Sequence, residues 1–214
     1  MSKVWLIADA TSVAGQALAE TALAAGGHIV AGANQPARLA ALAARHRGRV
    51  RAVPLDLTVE ATVYAAINTA LSAFGRLDIV VDTSAEAEVP ALEESDDAVL
   101  RKRFERNFFG VVGLAHAALP VLREQGAGRI VHVASSDRGA DAPRRAANAA
   151  VRGYFEMLAR EVSAQGIEVV VIDTHEVPGE EFGVWVEDAP PKTRERGESA
   201  PRSRVVRFPT RSAA

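Results

Sequence analysis

Residues 3–42 read KVWLIADATSVAGQALAETALAAGGHIVAGANQPARLAAL, and this stretch decides the fold. Val4-Trp5-Leu6-Ile7-Ala8 is an unbroken apolar run of strand length, the pattern of a strand covered on both faces. Residues 13–25 follow with helical spacing, and Gly26-Gly27 ends them, as glycine does just past a helix C-terminus. Residues 28–32 form a second apolar run. Pro36 then opens a helix reaching about His46, because the fixed φ of proline suits a first helical turn. Strand, helix and strand in this order make a crossover unit, so the two strands are expected to be parallel.

The same alternation continues outward. Residues 50–55 are a third strand, and residues 59–74 a helix with apolar positions Val63, Ala66, Ile67, Ala70 and Leu71, stopped by Gly75. A fourth strand covers 77–81. Ser95, followed by Asp96 and Asp97, is a suitable N-cap for a helical region that reaches Glu124 and bends near Asn107 and Gly110. A fifth strand covers 129–134. Residues 144–165 are a long helix stopped by Gly166, and residues 168–173 a sixth strand. The predicted class is α/β: a doubly wound, Rossmann-like parallel sheet of about six strands with helices on both faces. Ligands of such sheets bind beyond the carboxyl ends of the strands. Here that rim comprises residues 9–15, Asn34, Asp56, 82–85, 135–137 and 173–177.

Composition narrows the function classes. The chain has 214 residues, 48% apolar and 24% charged, which suits one domain with a substantial core. Cysteine is absent, which excludes disulfides, thiolate zinc sites and a cysteine nucleophile. A net charge of −2 argues against a broad nucleic-acid face. No apolar run approaches the roughly 20 residues of a membrane span, and no leader precedes the first strand, so a cytoplasmic protein without membrane contact is expected. His28, His46, His116 and His132 share no metal-ligand spacing, and no metal is expected. The organisation is a domain over 1–187 and a Pro/Arg-rich tail over 188–214. The tail carries seven basic and three acidic groups, a net +4 that leaves the rest at −6, so it is expected to be flexible or docked on a partner.

Several colinear segments resemble the short-chain dehydrogenase/reductase family. They are residues 7–17 at the cofactor turn, Asn34-Gln35-Pro36-Ala37-Arg38-Leu39, Leu55-Asp56-Leu57-Thr58 and Phe74-Gly75-Arg76-Leu77-Asp78. Further along come Asn107-Phe108-Phe109-Gly110, Gly128-Arg129-Ile130-Val131 with Ser135-Ser136, and the helix around Ala149-Ala150-Val151-Arg152-Gly153. The resemblance covers about 1–182 and implies a nicotinamide dinucleotide on the turn after the first strand. It also implies catalysis by a Y-x-x-x-K pair with a serine and an asparagine. The two long helices, here 95–124 and 144–165, are implied to pair with a second subunit, giving a homodimer or a heteromer with an active relative. Apolar candidates for that contact are Val99, Phe104, Phe108, Val112 and Ala115 on one helix and Val151, Phe155, Leu158 and Val162 on the other.

The chemistry departs from the pattern. The three turn glycines read Asp9, Val13 and Gly15. Val13 adds a branched side chain and Asp9 a negative charge where phosphate approaches, so weak or absent NAD(P) binding is expected, with Thr11 and Ser12 as remaining donors. Asp56 is expected either to meet the adenine or to cap the helix near Val59. Asn34 stands where NADP-preferring members often carry arginine. Ser12, Gly15 and Asp56 are therefore the cofactor-binding candidates. The family's asparagine pair after the fourth strand reads Asp82-Thr83. Ser136 and Asn107 keep the serine and asparagine. Arg144 and Asn148, or with a later gap Asn148 and Arg152, fall at the tyrosine and lysine positions. No Y-x-x-x-K exists anywhere: Tyr64 is followed at +4 by Asn68 and Tyr154 by Leu158. An arginine stays protonated and cannot replace the tyrosine as acid and base. His175 stands in place of a Pro-Gly step and could titrate near neutral pH.

The catalytic candidates are thus Ser136, Asn107 and His175. Three functions stay open: a non-catalytic or repurposed subunit; a cyclase, lyase or dehydratase using His175, Asp82, Ser136 and Arg144; and an atypical NAD(P)-dependent oxidoreductase.

Overall fold

The computed structural model describes residues 2–83, 97–134 and 142–173. Ser95, Ser136, His175 and the tail over 188–214 lie outside them. Six strands form one parallel sheet in the order β3-β2-β1-β4-β5-β6. They are β1 Val4–Ala8, β2 His28–Ala33, β3 Val50–Pro54, β4 Ile79–Asp82, β5 Gly128–Ala134 and β6 Ile167–Asp173. The helices are α1 Val13–Ala24, α2 Ala40–Arg45, α3 Glu60–Phe74, α4 Asp97–Phe104, α5 Val111–Gln125 and α6 Ala142–Val162. The doubly wound expectation holds, and the strand order reverses between β1 and β4, the switch point where such sheets bind ligands.

Each face of the sheet has its own core. Leu6, Val30, Val80 and Ile130 point to α3, α5 and α6. Trp5, Ile7, Ile29, Val81 and Val131 point to α1 and the segment before α2. Alternate residues of one strand feed opposite cores, which is why these strands read as unbroken apolar runs.

Two details of the expected elements change. Pro36–Leu39 is a 3-10 turn, and the α-helix starts only at Ala40. The bend expected near Asn107 and Gly110 is a wide turn over Glu105–Gly110 with π-type winding, which joins α4 to α5. At Gly110 an added Cβ would lie 2.8 Å from Leu57 Cβ and 3.0 Å from Leu57 O, so only glycine lets this turn lie on the loop after β3.

The segment Phe74–Asp78 has a mechanical reason. Gly75 ends α3 in the left-handed region at φ 77°. Arg76 then donates to both oxygens of Asp78, and Asp78 Oδ2 accepts the Val4 amide at 2.8 Å. One carboxylate thus fixes the start of β1 beside β4. The Gln125 amide closes the other side by bonding both Leu77 N and Leu77 O.

The helix faces proposed for a partner need correction. Ala115, Val151, Phe155, Leu158 and Val162 are buried in the chain's own core. Helical periodicity locates an apolar face without saying what covers it. Phe109, Met157 and Val99 are the large apolar side chains exposed on α4, the π-wound turn, α5 and α6.

Candidate functional site

The turn after β1 keeps the backbone of a nucleotide turn with altered side chains. Asp9 adopts φ 66°, a left-handed conformation that asparagine and aspartate tolerate better than other side chains. Its carboxylate accepts from Thr11 N at 3.2 Å and from Thr11 Oγ1 at 2.6 Å. Ser12 Oγ donates to Asp9 O at 2.9 Å and accepts Gly15 N at 3.0 Å, capping α1. Thr11 and Ser12, read from sequence as remaining donors to a phosphate, are therefore engaged within the turn. The reason is that Asp9 supplies a nearby acceptor of its own. Val13 turns its side chain outward at 89% exposure. Gly15 is held to glycine by contact, since an added Cβ would stand 2.3 Å from Asp9 O.

Beside this turn, at the carboxyl ends of β1, β2 and β3, lies a cavity of about 250 Å3. Ala8, Asp9 and Thr11 form one wall, Asn34, Gln35 and Arg38 the second, and Leu55, Leu57 and Arg106 the third. Asn34, in the orientation that satisfies its amide, donates to Leu55 O at 3.0 Å and accepts from Arg106 Nη2 at 3.3 Å. Arg38 is exposed, and no hydrogen bond or ion pair engages it among the described residues.

Asp56 does not cap the helix after it. Its Oδ1 accepts Thr58 N at 2.9 Å and Thr58 Oγ1 at 2.8 Å, while α3 begins at Glu60 without a side-chain cap. The Thr58 backbone bond holds this carboxyl below its ordinary value, against partial burial and with help from the Thr58 hydroxyl and the Arg106 charge. A carboxyl with a lowered folded-state pKa stabilises the fold above its unfolded value of about 3.9, and that contribution fades as pH falls through the folded value. Asp56→Asn is therefore expected to lower stability at neutral pH. It should also flatten the loss of stability below about pH 4. Urea midpoints measured from pH 7 to pH 3 check this, and parallel curves for both proteins would overturn it.

Deeper at the switch point lies a buried polar pair of which sequence reading singled out only Asp82. Asp82 at the end of β4 and His132 on β5 are register partners, 2% and 4% exposed. His132 Nδ1 donates to Asp82 Oδ2 at 2.7 Å, and His132 Nε2 is buried with no partner among the described residues. Asn107 on the π-wound turn and Asn148 on α6 are buried at 8% and 9%, and these two elements pack together. Asn107, read as the family's asparagine, thus lies on the same side of the sheet as Asn148, read at the lysine position or, with a later gap, at the tyrosine position.

Neither tyrosine is followed at +4 by a lysine. Tyr154 faces α5, where its hydroxyl bonds His116 Nε2, and burial raises its phenol above the ordinary value with a smaller push from Glu161. Tyr64 lies on α3, half exposed. Among the described residues, no three His, Asp or Glu side chains come together as a metal site, and no helix is long and apolar enough to cross a membrane.

The family model of the short chain dehydrogenases matches residues 3–180. This chain belongs to the short chain dehydrogenase family. Oxidoreductase BOA17 of Botryotinia fuckeliana is 34% identical over 81% of the chain and 65% of its own length. The 3-ketodihydrosphingosine reductase of Bacteroides thetaiotaomicron is 30% identical over 79% of the chain and 62% of its own length. The chain therefore spans a little under two thirds of these relatives. A short-chain dehydrogenase from Streptomyces avermitilis superposes with a TM-score of 0.75 at 34% identity, covering 80% of the chain and 65% of that structure. A 3-ketoacyl-(acyl-carrier-protein) reductase from Brucella melitensis, solved with NADH, superposes with a TM-score of 0.74 at 27% identity, covering 80% and 74%. Within this short chain dehydrogenase fold, the turn after β1 and the neighbouring cavity lie where doubly wound sheets take a dinucleotide.

Proposed function

We propose that this short chain dehydrogenase family member is a subunit without standard hydride-transfer catalysis, which holds NAD(P) weakly and through its adenosine end. One observation carries the reading: the sequence has no Y-x-x-x-K, and its Tyr154 hydroxyl is bound to His116 instead of standing free beside a lysine. Without that pair no group at the described rim is shaped to pass a proton to a substrate oxygen while holding a ribose. The adenosine end is better supported. Gly15 and Ser12 keep the packing and cap of α1, and Asp56 and Arg106 stand by a cavity of nucleoside size. A nicotinamide dinucleotide, when bound, supplies a hydride donor or acceptor; this chain's residues supply only its seat.

Association completes the reading. Phe109 and Met157 are 54% and 53% exposed, on the π-wound turn and on α6, which favours burial against another subunit, a second copy or an active relative. The purified chain is expected to sediment as a dimer and to give no change at 340 nm with NADH or NADPH across a panel of ketones and aldehydes. Turnover of either cofactor would overturn the non-catalytic reading. It would favour an atypical NAD(P)-dependent oxidoreductase, which the names of the relatives support.

A further inference from the structure

We propose that the corner where α2 runs into β3 is a docking surface for an acidic segment of a partner protein, held by Arg45, Arg47, Arg49 and Arg51. This corner lies at the amino ends of the strands, while the cavity beside the turn after β1 lies at their carboxyl ends. Docking there is therefore independent of nucleotide binding.

Charge is segregated along the chain. Residues 21–55 hold five arginines and no aspartate or glutamate, within a domain over 1–187 of net −6. Four of the five fall within 45–51. Arg45 ends α2, and the chain then reverses at once: Arg49 N and Val50 N both donate to His46 O, at 3.0 and 3.2 Å. Gly48 takes φ 88°, a conformation this reversal needs and other residues rarely adopt. The reversal leads into β3, the edge strand of the sheet, so the four arginines share one corner of that edge.

Two of the four are fixed in place. Arg49 Nη1 donates to Leu23 O in the last turn of α1 at 2.9 Å. Arg51 donates to Val50 O at 3.1 Å, and its guanidinium lies 5.4 Å from the centre of the Phe74 ring at the end of α3. Helices α1 and α3 cover opposite faces of the sheet, so Arg49 and Arg51 hold positive charge on both sides of the edge. A helix C-terminus carries only about half a unit of negative charge, which offsets part of this. Arg45 and Arg47 are exposed and make no hydrogen bond among the described residues. None of the four is paired with a carboxylate among the described residues. Such a patch draws an anionic partner and orients its approach.

The surroundings select the kind of anion. Single-stranded nucleic acid stacks its bases on open aromatic rings. Phe74 is already engaged, by Arg51 and by the His28 ring at 4.8 Å. An anionic membrane surface is held where large apolar side chains stand beside basic ones. None of the large exposed apolar side chains of the described residues falls within 21–55. A short run of carboxylates needs neither feature, and guanidinium forks bind carboxylates through paired hydrogen bonds.

The test titrates the full chain with a fluorescein-labelled hexaglutamate peptide and reads anisotropy. The peptide is expected to bind, and Arg45→Glu with Arg47→Glu to weaken it by about tenfold or more, since two contacts become two repulsions. Lys102→Glu with Arg160→Glu makes the same change of net charge at exposed positions of α4 and α6. It should shift the affinity by less than about twofold, because salt screens charges beyond a Debye length. Thermal melts should match for all three proteins, as Arg45 and Arg47 hold nothing in the fold. Failure of the peptide to bind at millimolar concentration would overturn the proposal. So would equal losses in the two double variants, which would show a response to net charge alone. An oligothymidylate of equal charge that binds more tightly than the peptide, and is lost with Arg45 and Arg47, would overturn the choice of a protein partner in favour of nucleic acid.

Discussion

Replacing Asp82 by alanine is expected to destabilise the protein by about 3–5 kcal/mol, the cost of removing one partner from a buried pair. Asp82 and His132 sit side by side on the two strands at the switch point, 2% and 4% exposed. An ionised carboxylate only accepts, so Nδ1 carries the proton in their 2.7 Å bond. Removing the carboxylate leaves that N–H without its acceptor, beside a Nε2 that already has no partner among the described residues. A buried unmet polar group costs about 1–3 kcal/mol, so a second one adds to a debt the fold already carries. His132→Ala alone is also expected to be destabilising, because it removes a buried side chain and its bond to Asp82 Oδ2. Asp82→Ala with His132→Ala together should cost less than the sum of the singles, since both members of the bond leave at once. Urea unfolding of the four proteins gives the cycle. Additive effects within about 0.5 kcal/mol would show that the pair is not coupled.

This pair marks the limit of what sequence reading shows. The central strands were the most legible because they are buried on both faces, so that Val4–Ala8 or Ile79–Asp82 carries no polar interruption until its carboxyl end. Asp82 was legible as an oddity at that end. His132, fifty positions later, was one of several scattered histidines, because only strand register places it opposite Asp82. Arg106 was hidden for a related reason. On a helix an arginine reads as a solvated face, and nothing local says that the π-wound turn directs it into a cavity made by β1, β2 and β3. The apolar faces of α5 and α6 were legible as faces, but not which of their residues the chain's own core covers. Val151, Phe155, Leu158 and Val162 meet the chain's own sheet, and spacing alone does not distinguish a sheet from a second subunit. The turn after β1 was legible as the segment joining β1 to α1. Asp9 stands at φ 66° and Gly15 lies against Asp9 O, a geometry that suits the glycine positions they were assigned to.

That assignment makes the second large effect predictable. Asp9→Gly combined with Val13→Gly is expected to tighten binding of adenosine 5′-diphosphate by about tenfold or more. Two unit charges about 8 Å apart repel by about 2 kcal/mol at an effective dielectric of 20, which is about 30-fold in affinity. Water at this half-exposed turn screens part of that, which brings the expectation towards tenfold. Asp9 also withdraws donors: with its carboxylate gone, Thr11 N and Thr11 Oγ1 are released to an incoming phosphate. The fold should tolerate the change, because glycine takes a φ of 66° without strain and Ser12 still caps α1 through Gly15 N. Val13, at 89% exposure, packs on nothing, so its replacement costs about 1 kcal/mol at most through helix propensity. The single variants separate the causes. Asp9→Gly should carry most of the gain if charge is the obstacle, and Val13→Gly if the branched side chain is. A double variant that binds within twofold of the starting protein would show that the turn is not what limits nucleotide affinity. The weakness would then have to arise at the cavity wall formed by Asn34, Arg38 and Arg106.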